Sequence, residues 1–181
     1  MTLRLSNGKV VNIKRLVAED LDNLIEYLQN LSDENKRRFG PHSFEKMAVE
    51  RLVEASNEYV AYIARDISNG YIEAYAILKK GLLDTDVVRL KSYGITPEIG
   101  TDITYAPSVS GAWQSSGLGH QMFQFIVTDL RNSGIKRVVL WGGVQADNEK
   151  ALGFYNKNGF RKLGEFDFNG LNYDMMLELQ Q

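Results

Sequence analysis

The chain of 181 residues has no cysteine, three prolines and two histidines. Without cysteine there are no disulfides, no thiolate metal ligands and no cysteine nucleophile. That fits a reducing compartment, and a cytoplasmic location is the expectation. His42 and His120 stand far apart in sequence, so no metal site is expected. Charge of neither sign dominates, with 23 acidic residues against 21 basic ones. A broad basic face is therefore not expected, nor is nucleic acid as a partner. Long apolar runs are also missing. The opening stretch MTLRLSNGKVVNIKRL scatters charges through its length and reads as neither signal peptide nor membrane span. No membrane partner is expected.

What is present suits a globular protein. The length predicts one domain over residues 1–181 with a real core. Residues 9–16 read as a first strand, β-branched and charged. Residues 19–31 place Leu21, Leu24, Ile25, Leu28 and Leu31 on one helical face. Ser32 is placed to cap a short helical piece that Gly40-Pro41 ends, and Ser43 restarts a helix. Residues 58–65 and 71–78 read as a strand pair with a turn between them. Residues 80–96 stay open among a lid, an extra strand and a mobile loop. Residues 98–105 alternate like a half-buried strand. A helix follows from Leu118 to the Asn132-Ser133-Gly134 stop, then a strand, KRVVLWGGV. A helix capped by Asn148 ends at Asn158-Gly159, and Asn169-Gly170 joins two last strands as a hairpin. The order predicts an α/β (α+β) fold with a mixed, mostly antiparallel sheet flanked by helices.

One stretch carries chemistry. Residues 114–122 read QSSGLGHQM, two glycines beside small hydroxyl residues at the head of a helix. A helix N-terminus has unpaired N–H groups and partial positive charge, so it suits phosphate if the backbone can come close. Gly117 and Gly119 permit that approach. The same pattern also serves as a plain tight turn. A Walker loop does not fit, because His120 follows Gly119 where that motif needs Lys. A dinucleotide fingerprint lacks its third glycine.

A second segment, DNEKALGFYNKNGF, follows one strand later with Asn148, Ala151, Tyr155, Gly159 and Phe160. Together the two segments resemble the GNAT superfamily of acyl-CoA-dependent N-acyltransferases. Its members pair Gln/Arg-x-x-Gly-x-Gly/Ala with a later Asn-x-x-Ala-x-x-x-Tyr helix running into Gly-Phe. The resemblance implies a central sheet of about seven strands splayed at its middle, with about four helices. It implies that Gln114, Ser115, Ser116, Gly117, Leu118, Gly119 and His120 hold the diphosphate of acetyl-CoA, a co-substrate, with no metal. The main chain near Ser108 and Val109 is then expected to pair with the pantetheine arm. Asn148 is expected at the arm or the helix start, and Tyr155 near the thioester sulfur. Where the family usually has proline this chain has Gly111, which leaves two expectations open: a loop more mobile than usual, or one pinned by Trp113. Arg37, Arg38, Phe39 and His42 are candidates for the acceptor entrance; the alternative is a solvated helix end with Phe39 and Phe44 buried.

The implied activity is acetyl transfer to a primary amine by direct attack. A lysine-like amine of pKa about 10.4 is neutral in roughly one molecule in 2,500 at pH 7, a handicap of about 4.6 kcal/mol. A base is needed, and Glu98 is the first candidate, followed by Asp102 and Glu73. Tyr155 suits the acid that protonates the leaving thiolate, or it closes the core beside Phe154 and Phe160. Two other readings stand beside this one: a noncatalytic acyl-CoA-binding sensor, and a domain whose glycine loop holds no phosphate. The acceptor is expected to be a small-molecule or peptide amine, and a homodimer is possible.

Overall fold

Val11 and Ile13 are buried while their neighbours are half-exposed, the alternation that makes residues 10–15 a strand rather than a helix. In chain order the computed structural model has β1 (Thr2–Arg4), β2 (Val10–Arg15), α1 (Leu21–Gln29), α2 (Asp33–Arg38), α3 (Lys46–Glu54), β3 (Tyr59–Asp66), β4 (Ile72–Lys80), α4 (Asp84–Ser92), β5 (Asp102–Val109), α5 (Leu118–Asn132), β6 (Arg137–Leu140), β7 (Val144–Gln145), α6 (Glu149–Lys157), β8 (Arg161–Asp167) and β9 (Leu171–Glu178). The structure describes residues 1–179. The fold is α/β with a mostly antiparallel sheet, nine strands and six α-helices among those residues. The counts exceed the expected seven and four. The extra helices include α4, which occupies the segment left open between lid, strand and loop.

The described residues form two compact units, neither continuous in sequence: 1–78 with 106–126, and 79–105 with Val127 onward. Strands β4 and β5 and helix α5 each begin in one unit and end in the other.

In the first unit the order begins β1-β2-β3-β4. The β2–β3 pairing is antiparallel from Val11↔Asp66 to Arg15↔Tyr62. Leu24, Ile25 and Leu28 form the buried stripe of α1. Ser32 caps α2, its hydroxyl accepting from the Asn35 N–H at 3.3 Å. The end of β5 lies beside the start of β4, where the Ser110 N–H donates to the Glu73 carbonyl at 2.9 Å.

In the second unit β5 pairs in parallel with β6 from Asp102↔Arg137 to Tyr105↔Leu140. Strand β9 pairs antiparallel with β6, β7 and β8. Helix α4 contributes Leu90 to a cluster with Leu82, Ile95, Val139 and Met176. The hairpin at Asn169-Gly170 forms as expected, with both residues at positive φ, 52° and 107°.

Candidate active site

The glycine turn is built from the end of β5. After Val109, a single helical turn at Gly111–Trp113 buries Trp113, with the Lys9 ammonium 4.0 Å from the centre of its ring. The Trp113 carbonyl accepts from the Ser116 hydroxyl at 2.6 Å, and the Ser116 oxygen accepts from the Leu118 N–H at 3.3 Å. Trp113 thus anchors the loop through its buried ring and its carbonyl, two residues after Gly111, the position where the resemblance marks a missing proline. Ser115 has φ 60° and Gly117 φ 87°. For a serine the left-handed region is uphill by about 1–2 kcal/mol, and such strain marks functional turns. A Cβ placed on Gly117 would meet nothing within 4 Å. Glycine is therefore required there by backbone conformation, and the space above it is open. Helix α5 starts directly after, its first internal bond running from the Gln121 N–H to the Gly117 carbonyl at 3.0 Å. Its first-turn amides lie upstream of any intrahelical carbonyl. Positive φ at two close positions, open space and a helix start fit a diphosphate.

The alternation of β5 divides Ser108 from Val109. Because the Ser110 N–H faces β4, the trans peptide geometry aims the Ser108 N–H and C=O towards β4 and the Val109 N–H and C=O away from it. Pro107 shares the outward edge with Val109 and has no N–H to offer a neighbouring strand. Of the two residues expected to pair with an extended arm, Val109 is the one whose main chain is directed for it. The Ser108 hydroxyl instead bonds the Tyr27 hydroxyl at 2.8 Å.

Glu73 shares a face with these side chains. Its carboxylate accepts from the Ser110 hydroxyl at 2.5 Å, and it is half-buried. Burial pushes the Tyr27 phenol well above its ordinary range, the Ser108 bond opposes this, and the Glu73 charge adds to it. Tyr75, two residues along β4, is raised likewise by burial. His42 bonds both neighbours, Nδ1 to the Ser43 carbonyl at 2.8 Å and Nε2 to the Tyr75 hydroxyl at 3.1 Å. A carbonyl only accepts, so Nδ1 carries the proton and Tyr75 donates to Nε2. Burial lowers the His42 pKa, which keeps the ring neutral. Phe39 is buried, with its ring centre 5.3 Å from that of His42 and 5.9 Å from that of Tyr75. Tyr27, Asn35, Tyr75 and Ser110 had no assigned role from sequence. For Tyr27 and Tyr75 the one signal was a hydroxyl on the buried face of an otherwise apolar element, Tyr27 between Leu24 and Leu28.

The carboxylate expected first as the base is engaged in contacts of its own. Glu98 precedes β5, at the end of the strand opposite Val109. Its side chain is 53% exposed, lies 3.7 Å from Arg137 and accepts from the Thr101 hydroxyl at 3.2 Å. Asp102 is 1% exposed and holds Arg137 through both oxygens at 2.6 and 2.8 Å, while accepting the Glu98 N–H at 2.7 Å. These contacts lock the start of β5 to β6, a structural task, so neither residue is carried forward as the base. Arg137→Leu leaves the Asp102 carboxylate buried without its cation. The expected loss is about 3–5 kcal/mol, or about 6–20 °C in Tm for a domain of this size. Calorimetry on the variant checks it, and a Tm within 2 °C of wild type contradicts it.

In the second unit, Asn148 caps α6, its side chain accepting from the Ala151 N–H at 3.2 Å. Tyr155 is 8% exposed, edge-on to Phe154 and Phe160 with ring centres 5.3 Å away in both cases. Burial raises its phenol far above the usual value. Among the described residues no cluster of His, Asp or Glu is arranged to hold a metal ion. No described helix is long and apolar enough to cross a membrane.

Residues 105–160, which carry both motifs, match the family model of the acetyltransferase (GNAT) family. No curated protein matches the chain by sequence. Among solved structures, the GNAT domain of S. lividans PAT superposes with a TM-score of 0.77 at 19% identity, over 99% of this chain and 96% of that one. The ribosomal-protein-S18-alanine N-acetyltransferase of Escherichia coli gives 0.63 at 19% identity, over 94% and 95%. Salmonella typhimurium yncA, solved with its cofactor acetyl-CoA, gives 0.67 at 16% identity, over 94% and 95%. The segment that carries both motifs matches the family model, and the chain shares its fold with these structures along nearly its whole length.

Proposed function

We propose that the chain moves an acetyl group from acetyl-CoA to a primary amine by direct attack. The observation that carries this reading is the turn at residues 115–117, bent into positive φ at the head of α5 inside the segment that matches the family. Residues 114–120 would hold the diphosphate, and the Val109 main chain would pair with the pantetheine arm. Acetyl-CoA, when bound, supplies an activated acyl group with a thiolate leaving group. Glu73 takes the place of Glu98 as the base that accepts the amine proton, directly or through water. Its support is its position on the same face as Ser108 and Ser110, at the end of β5 that feeds the turn. Tyr155 is the acid for the leaving sulfur, an assignment resting on its place in the Asn-x-x-Ala-x-x-x-Tyr motif. The acceptor is a small-molecule or peptide amine; the E. coli neighbour named above acts on a protein alanine, and the fold is compatible with either class.

Acetyl-CoA at 100 times its Kd is expected to add about 2.7 kcal/mol of stability, raising Tm by about 5–10 °C. Gly117→Val, which forces a β-branched residue to positive φ, should abolish most of that shift. A panel of primary amines with a free-thiol readout then separates an enzyme from a silent binder. A Tm shift without thiol release from any amine would favour the sensor reading, and no shift at all would remove acetyl-CoA from the proposal.

A further inference from the structure

Helix α2 reaches the edge of β5 through one side chain. Asn35 Nδ2 donates to the Val109 carbonyl at 3.3 Å. Gln114 Nε2 donates to the same carbonyl at 3.4 Å and to Asn35 Oδ1 at 3.3 Å. Two side-chain amides, one from α2 and one from the start of the glycine turn, thus cover a single main-chain acceptor. It is the acceptor that points away from β4. The edge it belongs to is sparse: Pro107 contributes no N–H, which leaves the Pro107 carbonyl and the Val109 N–H and carbonyl as its hydrogen-bonding groups.

An extended ligand arm that pairs with this edge needs the Val109 carbonyl for one of its own amide N–H groups. Both existing bonds are near the long end of the hydrogen-bond range, and both donors are neutral amides that water can satisfy once released. Exchange is therefore easy, and it frees Asn35 from the strand. The backbone of α2 does not depend on the contact, since the Ser32 cap engages the Asn35 main-chain N–H and not its side chain.

We infer that Asn35 is a positioning residue for the thioester arm: its amide covers the Val109 carbonyl until the arm replaces it, so that loading acetyl-CoA releases α2 from β5. The inference rests on the proposed acetyl-CoA site. It couples cofactor binding to a helix whose last turn leads into Phe39 and His42.

The test uses the full chain with acetyl-CoA as the probe. Asn35→Ala removes one of the two donors that cover the Val109 carbonyl and leaves Gln114 as the other, and Asn35→Asp keeps the shape while removing the same donor. Both are expected to bind acetyl-CoA about two- to tenfold more tightly by calorimetric titration, with Tm of the free proteins near wild type. Hydrogen exchange supplies a readout that a purely structural role would not move. In the wild type, acetyl-CoA should speed exchange across residues 33–38, and in Asn35→Ala those residues should exchange fast with or without it. Equal or weaker affinity in both variants, with exchange over 33–38 indifferent to acetyl-CoA in the wild type, overturns the inference alone. Absence of acetyl-CoA binding in the wild type and both variants overturns the proposed site as well.

Discussion

Glu73→Gln is expected to lower kcat for amine acetylation by about two to three orders of magnitude, with acetyl-CoA affinity and Tm close to wild type. The substitution keeps the shape of the side chain. The Ser110 hydroxyl can still donate to an amide oxygen, and the main-chain bond between Ser110 and Glu73 is untouched. What is lost is the proton acceptor. An amine of pKa about 10.4 brings a deprotonation cost of about 4.6 kcal/mol to neutral pH, and a base matters in proportion to that cost. The defect should therefore shrink along a series of acceptors of falling pKa, towards a few-fold for an amine that is already neutral. Steady-state kinetics across such a series measures it. A loss of the same size for every amine would make Glu73 a binding residue rather than a base. Glu98→Gln is the control: exposed, and tied to Arg137 at the other end of β5, it should leave kcat within about twofold.

The features legible in the sequence were those written in local chemistry. Asn169-Gly170 selects a tight hairpin wherever it falls. Ser32 and Asn148 announced their helices because a capping side chain acts within three residues, and the turn at 115–117 needs glycine for reasons internal to its own backbone. Helix α4 stayed unreadable because its burial is partly ionic. Asp86 is buried and Arg89 largely so, Arg89 joining Asp174 at 2.5 Å and Asp86 at 3.0 Å, while the apolar Val88 is 79% exposed. A hydrophobic stripe cannot be counted when charges lie inside and valine lies outside. The run KRVVLWGGV looked like one strand, yet Gly142 and Gly143 both take positive φ and break it into β6 and β7. At Gly143 a Cβ would come within 2.8 Å of the Tyr173 carbonyl, a constraint set by a residue thirty positions away. The base we propose differs from the first candidate for a related reason. Glu98 is near the glycine turn in sequence, but an extended strand separates its two ends by about 3.3 Å per residue, so proximity along β5 is distance in space. Glu73 is far in sequence and is brought to the turn by antiparallel pairing.

Tyr155→Phe is expected to reduce kcat by about a hundredfold, with KM for acetyl-CoA and Tm little changed. Phenylalanine preserves the edge-on packing against Phe154 and Phe160 and deletes one hydroxyl. The direction of the Tyr155 pKa sets the size and the pH dependence. Burial raises the phenol well above its usual value, so the protonated form, the one an acid needs, persists through the whole alkaline range in which activity is measurable. Loss of activity near pH 10 in the wild type should thus not come from Tyr155, and the ratio of wild-type to variant kcat should stay flat from pH 7 to 10. The same raised pKa restrains the contribution. Full proton transfer to an alkyl thiolate of pKa about 8.5 runs uphill from an ordinary phenol and further uphill from this one. In the role we propose, the hydroxyl would act chiefly by hydrogen-bonding the charge that develops on sulfur, which puts the expected effect at the lower end for general acids. A thioester with a more acidic thiol needs that help less and should narrow the gap between variant and wild type. Unchanged turnover in Tyr155→Phe with the natural thioester would return this residue to the core packing around Phe154 and Phe160.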